Sequence, residues 1–488
     1  MFREGGLLFP WSEQFSTIIL SDIHLTEAQE HVEEKPLWKL YKRREHFVDG
    51  SFHRLLEKCY RDIHGKIELI LNGDIFDFDS VLSVPKDGIS VNWVEKLRGL
   101  EPEESKSRFK MQIIIQNHPV FFDAIREFIL KGHRLVFVIG NHDIELFWNS
   151  VQDDILAALA LPKDKQKNIL FCDWFYISNK DTFIEHGHQY DSYSMCHDPI
   201  HPFVMQNGKV FVRQPFGNLA NRYMMNGMGL FNPHVDGSYI KSSLFEYLVF
   251  FYRYIIGTQP LLVLTWLWGA VVTLIQSFNY GLLPKLKDPF TLEKHIEDIA
   301  KRSQSTSAVV RTLKAIHAHP AIFSPLRLMR ELWLDRAILV GLIFFGAFQI
   351  YSLVNLIYQV NFWLFWVMVF ILFPFLVFYS RSIQSEMYQV DRVIRRFLPM
   401  TAKITGVNRI VQGHTHCEQH LWVGQIEYLN SGSWSPAFRD IACKKPYGRK
   451  CFVWIKPVDR SKNRQALLME WRDPEMVEVP IGTKKVRI

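Results

Sequence analysis

Seven residues of this chain have the types and the order that a metal centre needs: Asp22 with His24, then Asp74, Asn141, His186, and His414 with His416. Carboxylate, imidazole and amide make an oxygen-and-nitrogen donor set, which suits Mn, Fe or Zn better than a thiolate site would. The six cysteines form no CxxC pair, so they indicate neither a zinc ribbon nor a disulfide framework, and idle thiols in a reducing compartment are expected. Seven donors suffice for two divalent ions if one carboxylate bridges them. Such a pair, ~4 Å apart, holds a hydroxide and clamps both the attacking and the departing oxygen of a phosphoryl group. Each cluster alone says little, because Gly, Asn and Asp are also what turns require. Their recurrence in order carries the reading.

The residues before each cluster say how it is held. Ile18 to Leu20 runs into "SDIHL", Ile67 to Leu71 into "NGDIFD", Leu135 to Ile139 into "GNHD", Asp181 to Glu185 into "HGHQYD", and Arg409 to Val411 into "QGHTH". Short apolar runs bounded by polar turns are buried strands. Phe52 to Ile63 and Val120 to Lys131 have helical spacing of apolar residues, so strands and helices alternate in an α/β layered domain. In open α/β sheets ligands sit at the carboxyl ends of strands, where all these clusters fall.

The ordered set Asp22-x-His24, Gly73-Asp74-x-x-Asp77, Gly140-Asn141-His142-Asp143, His186 and Gly413-His414-x-His416 resembles the calcineurin-like metallophosphoesterase superfamily, over about residues 15 to 190 and 400 to 440. The resemblance implies a two-layered β-sandwich flanked by helices. It also implies a metal-dependent phosphoric ester hydrolase with two divalent ions, Mn first and Fe or Zn as alternatives. Asp22, His24 and His416 would bind one ion, Asn141, His186 and His414 the other, and Asp74 would bridge them. His142 would face the substrate and stabilise or protonate the leaving oxygen, with Asp77 orienting it. "YLNSGSW", residues 428 to 434, resembles the strand and turn that close the domain in several members. His142 stands where lipid A pathway pyrophosphatases of the superfamily carry Arg, so that subgroup is not implied. His188 reads as a neighbour of the site or a surface residue, because metal ligands already have polar neighbours there.

If His414 completes a site begun at Asp22, residues 191–400 interrupt one catalytic domain whose parts are 1–190 and 401–488. The insertion differs from its host. Residues 254–284 contain no charge in 31 positions and residues 337–380 none in 44. Both exceed the ~20 apolar residues of a spanning helix, so an α-helical membrane insertion is expected. Trp266, Trp268, Trp363 and Trp366, with Arg253, Lys285, Arg336 and Arg381, resemble interface anchors. As one helix the second run would extend ~66 Å, so it is expected to fold back near Gln359-Val360-Asn361 or to leave the bilayer. Both flanks of the insertion share one site, so the crossings must be even in number. One crossing by each run is the first expectation; a hairpin from Ala337 to Tyr379 beside an interfacial first segment is the second. Residues 285–336 carry ten Lys/Arg against six Asp/Glu, and 381–412 six against two, so charge alone does not orient the insertion. The opening "MFREGGLLFPWSEQF" lacks a signal-peptide pattern, and a catalytic domain facing the cytoplasm is expected.

These features predict an integral membrane enzyme whose partners are membrane lipids and a phosphorylated, lipid-linked substrate. A membrane-anchored phosphatase of soluble or protein substrates is the first alternative. A nuclease of the same superfamily is another, disfavoured by membrane insertion and a formal charge of only +7 over 488 residues. A non-catalytic scaffold is disfavoured by the complete donor set. Two stretches remain unassigned. "PLWKLYKRRE", residues 36 to 45, could meet a membrane surface or a phosphate-rich ligand, or be a solvated loop. Residues 190–243, rich in His, Asn, Gly and Pro, could form a substrate lid.

Overall fold

The computed structural model describes residues 15–481 apart from 34–36, 230–251, 253–255, 257–258, 285–288, 384–389, 441 and 459–463. The anchors expected at Arg253 and Lys285, and the end of the 190–243 stretch, lie outside the described residues. The apolar runs form strands whose two faces are both covered, which is why they read as continuous rather than alternating. They are β1 (Phe15–Leu20), β2 (Lys66–Asn72), β3 (Arg134–Val138), β4 (Ile169–Cys172), β5 (Phe175–Ser178), β6 (Thr182–Glu185), β7 (Arg409–Gln412), β8 (Gln419–Val423), β9 (Ile426–Asn430), β10 (Cys451–Pro457), β11 (Arg464–Arg472) and β12 (Glu475–Glu478). One seven-stranded sheet has the order β12-β11-β10-β1-β2-β3-β4, parallel from β1 to β4. A five-stranded sheet has the order β8-β9-β7-β6-β5, with β7 parallel to both its neighbours. Each sheet joins strands from before and after the insertion. β10 pairs with β1, and β7 with β6.

Ile19, Ile70, Val136, Ile184, Val411, Leu429 and Val453 form the dry layer between the sheets. On the outer face of the larger sheet, α1 (Asp49–Asp62) and α2 (Pro119–Leu130) bury Phe52, Leu55, Phe121, Ile125 and Phe128. Their three- and four-residue spacing gives each helix one apolar stripe. The α/β layering expected from the strand endings, and the helix-flanked sandwich that the resemblance implies, are therefore the fold.

Between His186 and His414 lie α3 (Leu262–Leu282), α4 (Pro289–Arg302), α5 (Ser307–Lys314), α6 (Leu334–Tyr358), α7 (Trp363–Ser382) and α8 (Val390–Thr405). α4, α5 and α8 lay Ile296, Ile299, Val310, Leu313 and Leu398 on Phe175, Phe183, Ile410 and Tyr428 of the smaller sheet. Ile177 N donates to Ser303 O at 3.0 Å. Much of the insertion thus forms the second outer layer of the sandwich.

Among the described residues three helices, α3, α6 and α7, are long and apolar enough to cross a membrane. α6 and α7 have 25 and 20 residues, hence ~37 and ~30 Å, which matches a hydrocarbon core of ~30 Å. They form an antiparallel hairpin closed by Ile343, Ala347, Phe365 and Val369, with Tyr379 Oη donating to Asp335 Oδ2 at 2.9 Å at its base. The chain reverses at Gln359, in the left-handed region at φ 43°. Residues 337–380 are therefore two helices, with the fold-back expected near Gln359-Val360-Asn361, where polar residues interrupt the apolar pattern.

α3 differs from the hairpin in having a buried stripe, Gly269, Ala270, Thr273, Ser277 and Tyr280. Gly269 lies against the backbone of Tyr223 and Met224, where a Cβ would meet Tyr223 O at 2.9 Å. Both ends of α3 are tied to the preceding segment: Gln259 Nε2 donates to Gly227 O at 3.0 Å and Arg213 Nη2 to Leu283 O at 2.6 Å. Trp266 packs on the core formed by Tyr193, Phe216 and Leu334, and Trp268 lies under the Arg98 guanidinium at 5.0 Å. These two tryptophans, expected as interface anchors, are partly exposed and also contact protein.

Candidate active site

The loops that leave β1, β2, β3, β6 and β7 meet at one edge of the sandwich. The first two continue as a backbone zipper beyond their strands: Asp22 N donates to Gly73 O, His24 N to Asp74 O and Leu25 N to Ile75 O, at 3.1, 3.0 and 2.8 Å. Asp143 accepts from Gly140 N and Ile75 N at 2.5 and 2.9 Å, which fastens the third loop to the second. Asp22, His24, Asp74, His414 and His416 all have φ between 53° and 66°. A non-glycine residue there costs on the order of 1 kcal/mol, and such positions cluster at functional sites. Gly140 and Gly413 let the loops close, since a Cβ on either would overlap the Asp74 or Asp22 carboxylate. The turn after β9 secures Asp22 from the far side, with Trp434 N and Ser433 Oγ each donating to Asp22 O at 3.0 Å.

The side chains expected as ligands converge in two groups. In the first, His416 Nε2 lies 3.1 Å from Asp22 Oδ1 and 3.3 Å from His24 Nε2. In the second, Asp74, His186 and His414 have donor atoms within 4.8 Å of one another, with His186 Nε2 3.1 Å from Asp74 Oδ2. The same Asp74 oxygen is 4.0 Å from His24 Nε2, so Asp74 lies between the groups. His186 Nδ1 is 3.0 Å from Asn72 O, to which it donates, leaving Nε2 to face the site with its lone pair. Asn141 Oδ1 is buried with no hydrogen-bond partner among the described residues, and the buried Asp22 Oδ1 and His186 Nε2 face only other candidate ligands, His416 and Asp74, at 3.1 Å each. Buried acceptors arranged in this way fit divalent cations, which would satisfy all of them together. Burial opposes the His186 imidazolium, but Asp74 and Asp22 outweigh it and raise its pKa to about 9, so cation binding must displace that proton.

His142 faces the same space. Its Nδ1 is 3.6 Å from Asp77 Oδ1 and 3.6 Å from Asp79 Oδ2. Burial works against its charged form, yet Asp74, Asp77 and Asp79 hold the pKa well above the ordinary histidine value. Cations beside Asp74 would oppose that effect. Asp79 is itself gripped by the insertion: Gln214 Nε2 donates to Oδ1 at 2.6 Å, and Asn218 Nδ2 to Oδ2 at 2.5 Å. Asn218 also donates to Asn141 O at 2.7 Å, and Asn226 to Asp79 O at 2.7 Å. The described part of the 190–243 stretch therefore runs beneath the catalytic loops and holds them. His188 is buried between the His186 and His414 rings, and burial with those neighbours keeps its pKa well below the usual value. His414 Nε2 is 2.9 Å from Asp191 Oδ2, a contact that orients the ring. Asp79, Asp191, Gln214 and Asn218 were not singled out from the sequence. Asp79 and Asp191 alone carried a signal there, as the third acid in "GDIFDFD" and the last residue of "HGHQYD".

Carboxylates and imidazoles paired around buried acceptors, with His142 held by Asp77 and Asp79 beside them, define a metal-dependent phosphoesterase. Residues 15–214 match the family model of the calcineurin-like phosphoesterases. The match begins at the first residue of β1 and ends at Gln214; His414 and His416, brought in by β7, lie outside it. No curated protein matches the chain.

Proposed function

We propose that this phosphoesterase works at a membrane surface and hydrolyses a phosphate ester or pyrophosphate bond of a lipid-linked substrate. Asp22, His24 and His416 would hold one ion, Asn141, His186 and His414 the other, with Asp74 shared, and the all-oxygen-and-nitrogen set favours Mn. When bound, the ions supply Lewis-acid polarisation of the phosphoryl group and acidify the attacking water. His142 donates the proton that the departing oxygen needs, and Asp77 and Asp79 keep its ring turned toward that oxygen.

The observation that carries the lipid reading is the attachment of the hairpin. Leu334, the first residue of α6, shares a core with Tyr193 and Phe216, and Phe216 lies between Gln214 and Asn218, which grip Asp79. A plain anchor would need no such connection. Fixing the hairpin base to the shell of His142 sets the height of the site above the bilayer, so that headgroup phosphates reach it while the chains stay in lipid. Arg392 and Arg396 are exposed on α8, opposite Ile394 and Leu398, where they would attract an anionic surface. Six cysteines with no disulfide among the described residues accord with a catalytic domain on the cytoplasmic side. The test compares kcat/KM for a long-chain phospholipid monoester or pyrophosphate in mixed micelles with that for its deacylated headgroup. At least tenfold preference for the long chain is expected, and equal values would leave a merely anchored phosphatase.

A further inference from the structure

The stretch "PLWKLYKRRE" touches the site from a side that the metal centre does not explain. Lys39 and Lys42 flank a single helical turn, Leu40–Lys42, and are only 1% and 6% exposed. A buried ammonium is costly unless an anion or a full set of acceptors compensates it. Neither has that here. Among the described residues Lys42 Nζ donates to Ser80 O at 2.6 Å, and Lys39 Nζ reaches only Asn226 Oδ1 at 3.5 Å. An ammonium has three N–H groups, so both retain unused donors. Among the described residues no carboxylate lies within ion-pair distance of either nitrogen. The nearest acids are engaged elsewhere: Glu27 accepts from Leu82 N and Ser83 N at 2.7 and 3.0 Å, and Asp77 accepts from Ser80 N at 3.1 Å and faces His142. Arg98 adds a third cation nearby, for its guanidinium is against Gly227, next to the Asn226 that meets Lys39.

The position of Lys42 says what the spare donors are for. It shares a cavity with His24 and Asp77, together with Tyr41, Ser80 and Ser435. That cavity is therefore lined both by a candidate ligand of the metal centre and by a buried cation. Such burial also rules out contact between these two lysines and a lipid surface. Burial holds the ammonium pKa of both below the usual lysine range, with each other's charge as a further cause for Lys39, as expected of a pocket waiting for negative charge.

We propose that Lys42, backed by Lys39, forms an anion subsite beside the metal centre, and that it takes a second phosphate joined through a P–O–P bridge to the phosphate under attack. The preferred substrate class is then a phosphoanhydride. Water's oxygen bonds to the phosphorus at the metal centre, and the bond from that phosphorus to the bridging oxygen breaks. The bridging oxygen leaves with the second phosphate and takes a proton from His142, which regains one from the attacking water. Charge grows on the departing phosphate as the bond breaks, where the two ammonium groups stabilise it most.

This inference rests on the phosphoesterase reading and is independent of the lipid part of the proposed function. It is tested on the full-length, Mn-loaded protein with phenyl diphosphate and phenyl phosphate, neither of which carries an acyl chain. A lost lipid preference would therefore leave this comparison intact, and the converse holds as well. The wild type is expected to have the higher kcat/KM for the diphosphate. Lys42→Met should reduce that value at least tenfold more than the value for phenyl phosphate at unchanged metal content, and Lys42→Arg should recover part of the loss. Equal losses on both substrates, or no loss on either, would overturn the proposal. If Lys42→Met fails to fold, Lys42→Arg and Lys39→Met carry the same comparison, and a wild type that does not prefer the diphosphate overturns it alone.

Discussion

His142 is reached from two directions, by the Asp77 and Asp79 carboxylates on its Nδ1 side and by the metal-facing groups around Asp74 on the other. Replacing it by Ala is expected to leave both ions in place and to lower turnover by ~10² to 10⁴, with esters of acidic leaving groups suffering less because they need little protonation. Metal analysis with a leaving-group series checks this, and unimpaired turnover at full metal content would make His142 a bystander. Asp74→Asn should behave in the opposite way and lose activity together with metal, because its carboxylate belongs to one donor group and lies 4.0 Å from His24 of the other; a variant with most of its rate and one tightly bound ion would defeat the dinuclear reading. Far from the site, His133 gives a pH prediction. Its Nδ1 accepts from Ile67 N at 3.2 Å and its ring stacks on Tyr60, so it folds neutral. Burial, with Lys66 and Lys131, lowers its pKa to about 4, below the ~6.5 of the unfolded chain. Stability is therefore full above pH ~6.5 and falls as pH drops toward 4, because only the unfolded chain takes up the proton, at a cost of about 1–2 kcal/mol after allowance for solvent screening. His133→Phe should flatten the acid side of a Tm-versus-pH curve, and an unchanged slope would assign the acid loss elsewhere.

At the scale of elements, the strands and their endings were legible because each buried run stops at a turn whose polar residues do chemistry. Asp22 with His24, and His414 with His416, could be recognised for that reason. The break in the hairpin was legible too, since Gln359 and Asn361 interrupt an uncharged run. The outer layer of α4 and α5 was not, because a short amphipathic helix carries no sign of which sheet it covers. Nor were Gln214 and Asn218, whose bonds to Asp79 span 135 and 139 residues and follow no local pattern. Their consequence is mechanical: α3 presses on Tyr223 and Met224, in the turns that follow directly on Asn218. Gly269→Leu should push the two apart, since even a Cβ would lie 2.9 Å from Tyr223 O and 3.0 Å from Met224 Cα. The expected result is roughly a tenfold lower kcat at full metal content, as the Asp79 grip on His142 loosens. Gly341→Leu in α6 is the control, because nothing lies within 4 Å of a Cβ there. Equal rates for the two variants would show that α3 and the catalytic loops are uncoupled.

For the molecule as a whole, the sandwich limits how the chain can cross a bilayer. β1 to β6 precede the insertion and β7 to β12 follow it, yet they share two sheets, so both flanks lie on one side. The region between α3 and α6 is held to that side as well, through Ile177 N to Ser303 O at 3.0 Å, Arg302 Nη2 with Asp173 Oδ2 at 3.1 Å, and the core that α4 and α5 bury on the smaller sheet. If α3 crossed alone it would carry Ser303 away from β5 and expose that face, and the burial of its Gly269 stripe against Tyr223 would be lost. The arrangement that keeps every contact has α6 and α7 cross as a pair while α3 lies along the domain. Epitopes inserted in the Asn207–Gly208 turn, between Gln304 and Ser305, and between Val360 and Asn361 separate the possibilities in intact and permeabilised cells. The first two should be reached from the same side of the membrane and the third from the other, with activity retained for the first and third insertions because both sit in exposed turns. Opposite readings at 207 and 304 would mean that α3 spans and that the contact between β5 and Ser303 does not form. If all three epitopes are reached from one side, the hairpin does not cross at all, and α6 and α7 would have to bury their exposed Phe345, Phe370 and Phe375 in some other apolar phase.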